Sequence, residues 1–177
     1  MKKSILAMAV SAMFMVSAAQ AETNPNDVSA VLTVSGTVTE SQNCAVQLSQ
    51  SSVALDADVT TLQAQGATNS QVSGVSLSID GCSALVTKGQ LAFKFIGTAD
   101  DALGTSLANS STGEGAASGI GIALYDVIGN VVNINSDTMT VNANNVNKLG
   151  LGLVKLDGQE ATAGSVQGSL TIQVERL

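Results

Sequence analysis

The sequence predicts an all-β fold, and three observations carry the prediction. After Cys44 short apolar stretches alternate with Gly, Ser, Asn and Asp, so turns recur at short intervals. No segment sustains an apolar helical stripe over three turns. The stretch DVSAVLTVSGTV, residues 27–38, places Val28, Ala30, Leu32, Val34, Gly36 and Val38 at every second position, with mostly polar residues between them. A period of two is that of a strand with one face turned to an apolar surface.

Taken in order, the chain opens on an export leader. Lys2 and Lys3 precede an apolar run over residues 5–18 and then Ala19-Gln20-Ala21, the pattern of a secretory signal peptide cleaved after Ala21. The run is too short to span a bilayer comfortably, which disfavours a membrane anchor. Residues 22–177 then form the mature chain, long enough to bury about 68–70% of its unfolded surface as one domain. Its basic residues are Lys88, Lys94, Lys148, Lys155 and Arg176; five against fourteen acidic residues leave a net charge of −9. Such a surface disfavours nucleic acid and anionic lipid as partners.

Export implies an oxidising compartment, and Cys44 and Cys82 are the chain's two cysteines, so a disulfide between them is expected. A metal-binding or reactive pair is disfavoured, because the chain has no histidine to complete a ligand set. The strands are expected at residues 72–79, 91–96, 120–125, 130–134, 149–153 and 166–174. Residues 123–131 read as a hairpin in which Asp126 caps the turn and Gly129 takes the left-handed conformation. Residues 97–119, rich in Gly and Ser, read as a surface loop. Phe93 and Phe95 share one strand face and are assigned to the core. With Tyr125 they are the only aromatic residues after the leader, which disfavours sugar-binding and base-stacking platforms.

Catalytic constellations are not expected. Without histidine there is no ordinary triad and no neutral-pH proton shuttle. Asp56-Ala57-Asp58 resembles the opening of a calcium loop but lacks its glycine and distal glutamate, and both it and Asp100-Asp101 are read as solvated loop charges. No enzyme activity, cofactor or metal is therefore predicted.

Six stretches in order carry a family resemblance: V-S-G-T-V before Cys44; Q-G-A-T-N-S at residues 65–70; L-S-I-D-G-C ending at Cys82; L-A-F-K-F-I-G-T-A-D at 91–100; G-I-A-L-Y-D-V-I-G-N at 121–130; and A-G-S-V-Q-G-S-L-T-I-Q-V at 163–174. With the leader and the two cysteines, this order resembles the type 1 fimbrial major subunit family, the chaperone–usher pilins. The resemblance implies an incomplete immunoglobulin-like sandwich completed by a donor strand from a neighbouring subunit. It divides the chain into a signal peptide at 1–21, a donor extension at 22–34 and a pilin domain at 35–177. Val28, Ala30, Leu32, Val34 and Gly36 would seat in another copy's groove, and Leu170, Ile172 and Val174 would form the edge strand that a chaperone or donor pairs with.

Strand addition of this kind takes affinity from main-chain hydrogen bonds and specificity from alternate side chains. Burying Val28, Leu32, Val34 and Val38 contributes roughly 6–12 kcal/mol before ordering costs. Periodicity alone also fits an ordinary first strand pairing within its own domain. The partners implied are copies of this chain and other pilins, a periplasmic chaperone and an outer-membrane usher, with the fibre outside the cell. A minor adaptor or receptor-binding tip-associated subunit is the alternative role. One departure is visible: the family keeps an aromatic residue next to last, where this chain has Glu175-Arg176-Leu177.

Overall fold

The computed structural model describes Ser35, residues 43–70 and residues 72–177. The leader and the rest of the 27–38 stretch lie outside them. Two sheets pack face to face. In the larger, β1 (Ala45–Leu48), β3 (Ser73–Asp80), β9 (Asn147–Lys155), β6 (Ile120–Tyr125) and β5 (Leu107–Ala108) lie side by side in that order. Its two short additions are β2 (Gln63–Ala64), parallel to β9, and β7 (Val131–Val132), antiparallel to β6. The smaller sheet has three strands in the order β10 (Leu170–Arg176), β4 (Leu91–Gly97), β8 (Thr138–Thr140). A single helix of five residues, α1 (Ser83–Thr87), follows β3 among the described residues.

Side-chain alternation decides what each strand contributes. Val75, Leu77 and Ile79 of β3 point into the core, and Phe93 and Phe95 of β4 meet them with no exposed surface. The strand β6 is buried along its whole length because both its faces are covered. Ile122 and Leu124 join the main core, whereas Ala123 and Tyr125 pack with Val154, Val72 and Val131 in a second cluster. The segment before Val72 is strapped down by Gln65 N–H to the Lys155 carbonyl and Asn69 N–H to the Gly129 carbonyl. A strand covered on both faces reads as a continuous apolar run, and IGIALY does so.

The disulfide is formed: Cys44 and Cys82 are bonded, with Cα atoms 5.2 Å apart across a sequence separation of 38. It ties the residue before β1 to the residue before α1, and Cys82 is fully buried. The hairpin at 126–130 is also as expected. The Asp126 carboxylate accepts from the N–H groups of Ile128 and Asn130 and from the Asn130 amide, and Gly129 has φ 88°.

Several expectations are corrected. The strand expected from residue 166 begins at Leu170, because β4 ends at Gly97 and leaves the residues before Leu170 no partner there. Ser165 instead bridges to Ala116. The strand expected over 130–134 pairs only at Val131 and Val132 before Asn133 turns away. Residues 97–119 hold β5, and Asp100 is not a solvated charge. It is 6% exposed. Its Oδ1 accepts from the N–H groups of Ala102, Leu103 and Gly104, and its Oδ2 from Ser106 N–H and the Gln65 amide.

An open groove beside the last strand

The last strand is built to be half-finished. Leu170, Ile172 and Val174 alternate with Thr171, Gln173 and Glu175, so one face is apolar, yet these three side chains are only partly buried. Along one edge β10 pairs with β4, setting Ile172 opposite Phe95 and Val174 opposite Phe93. Its other edge pairs with no strand among the described residues.

Facing that edge, β1 is short and mostly exposed, and residues 50–62 form no strand. The segment returns through a turn closed by Asp58, whose carboxylate accepts from both the N–H and the hydroxyl of Thr60. Those bonds, with Thr60's hydroxyl foremost, hold the Asp58 carboxyl below the ordinary range. Between this segment and β10 lies a groove. Leu48, Val53 and Leu55 form one wall and Leu170 and Ile172 the other, over a floor of Val75, Leu107, Ile122, Leu149 and Leu151, enclosing about 370 Å³. Past Gly168 it continues into a second hollow of about 420 Å³ that shares Val53, Leu55 and Ile122 and ends among Asp56, Ala57 and Ser110.

The close approach at Gly168 shapes the groove. A Cβ there would lie 2.8 Å from Ile122 Cδ1, so a side chain would press into the floor. A wall of partly buried aliphatic residues around a trough with one free strand edge can accept an extended peptide, by backbone pairing along β10 and by side chains seated between the sheets. Among the described residues no group of three or more His, Cys, Asp or Glu is placed to hold a metal, and no helix is long and apolar enough to cross a membrane.

Of the sequence-derived site residues, the structure brings Leu170 and Ile172 to the groove wall, with Val174 further along the same face. Val28, Ala30, Leu32, Val34 and Gly36 lie outside the described residues. The opposite wall, Val53 and Leu55, was missed by sequence reasoning. The signal is weak, because two aliphatic residues separated by Ala54 on a segment that forms no strand look like any loop. At the chain end Leu177 N–H donates to the Gln90 carbonyl.

Fold and groove together define an immunoglobulin-like β-sandwich that, among the described residues, is incomplete along one edge. The chain belongs to the fimbrial protein family, whose model, described as Fimbrial protein, matches residues 32–175. Among solved structures it resembles the crystal structure of the P pilus rod subunit PapA, at 14% identity and a TM-score of 0.55, over 84% of this chain and 100% of that one. At that identity the likeness concerns the fold. No curated protein sequence matches the chain.

Proposed function

We propose that this chain is the repeating shaft subunit of a surface fimbrium and that it polymerises by donor-strand exchange. The N-terminal extension of one copy, through Val28, Ala30, Leu32, Val34 and Gly36, fills the groove of the next. The observation that supports this best is an apolar trough, open among the described residues, beside an edge of β10 that pairs with none of their strands. The trough needs an extended occupant with apolar residues at every second position, and residues 27–38 have that period. The same edge, with Leu170, Ile172 and Val174 on its strand, is where a periplasmic chaperone pairs before an outer-membrane usher assembles the fibre. The chain therefore travels through the periplasm to the cell surface, with a binding rather than a catalytic task and with support of adhesion as its role.

The test is electron microscopy of cells with and without the chain, joined to its abundance in sheared surface fibres. A shaft subunit dominates the sheared material, and its loss removes the fibres. Fibres that persist at normal length without it assign it instead to a minor or tip-associated position.

A further inference from the structure

Two exposed apolar loops stand at opposite ends of the larger sheet. At one end β6 runs into the turn carrying Val127, 72% exposed, and Ile128, 75% exposed. This tip is rigid: the Asp126 carboxylate is saturated by the turn's own N–H and amide groups, and the Gly129 carbonyl accepts from Asn69 N–H. Exposed Lys148 shares a hollow with Val127 beside it. Because β6 and β9 are antiparallel, with Tyr125 opposite Gly150 and Ile120 opposite Lys155, the far end of β9 lies at the other end of the sheet.

There Leu103 is 55% exposed on the loop that Asp100 holds through three successive N–H groups. Gln65 pins that loop to the chain after β9, its amide donating to Asp100 and Thr105 while its carbonyl accepts from Asp157 N–H. The Gln159 amide donates to Asp101 nearby. Exposed Asp101, Asp157 and Glu160 make this corner acidic, against Lys155 alone. The six pairs from Tyr125–Gly150 to Ile120–Lys155 separate the two ends by about 17 Å, the turns themselves apart.

We propose that the Val127–Ile128 tip of one copy seats on the Leu103 corner of another, with Lys148 facing Asp101, Asp157 and Glu160. The occupant is a second copy because the two surfaces are complementary. A tip that is apolar with an exposed cation meets a corner that is apolar and acidic, on a chain whose charge otherwise makes copies repel. Their place at opposite ends makes the contact heterologous, the kind that continues along a filament instead of closing a dimer. Both loops are preorganised, so little ordering entropy is lost on contact. The inference rests on the polymer reading above, since linkage in a fibre supplies the high effective concentration that lets so small a contact form.

The test uses full-length chain assembled into fibres from Ile128→Cys and Leu103→Cys subunits, singly and mixed, treated with a short bis-maleimide. Both side chains are exposed, so neither change disturbs the core, and the Cys44–Cys82 bond leaves no other thiol among the cysteines. Mixed fibres are expected to give a covalent dimer that survives boiling in detergent, single-variant fibres are not, and Lys148→Glu cuts the dimer yield several-fold without shortening the fibres. Fibres that form normally but crosslink no better when mixed overturn this contact alone. Failure of the wild-type chain to form fibres overturns the polymer reading and this contact together.

Discussion

The carboxamide of Asn145 pairs in both directions with the backbone of Ile79: its Oδ1 accepts from Ile79 N–H at 2.8 Å and its Nδ2 donates to the Ile79 carbonyl at 2.7 Å. Asn135 does the same for Gly97, at 3.1 Å each way. Both asparagines have positive φ, 57° and 62°. In each case the residue continues the register of an antiparallel ladder past its last pair, two beyond Asn147 opposite Leu77 and three beyond Thr138 opposite Lys94. The backbone has turned into the left-handed region, and the side chain stands in for the peptide group the ladder lacks.

Asn145→Ala is therefore expected to destabilise the domain by about 2–4 kcal/mol, from two lost hydrogen bonds and a left-handed backbone without the asparagine's compensation. Asn145→Gly keeps the backbone free and loses only the bonds, so its cost is smaller. Urea midpoints of the two variants check the order. Equal midpoints for the two variants would remove the left-handed backbone from the account, and a wild-type midpoint in both would remove the amide pairing.

Burial pushes the Asp100 carboxyl up, but the N–H groups of Ser106, Gly104 and Ala102 and the Gln65 amide outweigh it and hold it below the ordinary range. A carboxylate whose folded value is depressed contributes stability that is fully present above its unfolded value, near pH 4, and lost as pH falls through the folded one. Asp100→Asn turns an amide toward two donors and is expected to cost about 2–4 kcal/mol at neutral pH. The gap between wild type and variant should shrink as pH falls below about 4. A gap that stays constant down to pH 2 would remove the carboxylate from the account.

The disulfide closes a loop whose ends are 38 residues apart in sequence, so its loss is expected to cost about 4 kcal/mol on the loop-closure model. Cys44→Ser with Cys82→Ser should lower the urea midpoint accordingly and reduce the amount of subunit recovered. Intact-mass analysis of the exported wild-type chain should show no free thiol.

The register of the donated strand is tested by three substitutions, because a slip of one residue turns every side chain outward. Leu32→Asp and Val34→Asp each place a charge without a partner in an apolar trough, at a cost of several kcal/mol, and should abolish fibres. Thr33 falls on the alternate set of the period-two pattern, so on the proposed donation Thr33→Asp should be tolerated better. Fibre counts on the cell surface decide, and equal loss in all three would point to misfolding instead of register.

Much of the fold was legible because burial on one or both faces leaves a strong pattern. The run IGIALY, the alternating Leu170, Ile172 and Val174 and the Phe93/Phe95 pair each lie in the strands assigned to them. The short strands were not legible. Residues 45–48 and 138–140 pair over too few residues, and are too exposed, to show a period. Asp100 was misread because a carboxylate in an Asp-Asp pair looks the same whether its acceptors face water or the chain's own N–H groups. Half of the groove was visible through β10, and half was hidden in Val53 and Leu55, whose role depends on what faces them across the trough.

The most direct test of donation is assembly of a chain lacking residues 22–32. On the proposed donation the truncation removes Val28, Ala30 and Leu32 and leaves the groove walls, so the subunit is expected to fold and to accept a donor without offering one. Alone it should form no fibre, and mixed with wild type it should shorten fibres in proportion to its fraction. Long fibres built from the truncated chain by itself would contradict the account.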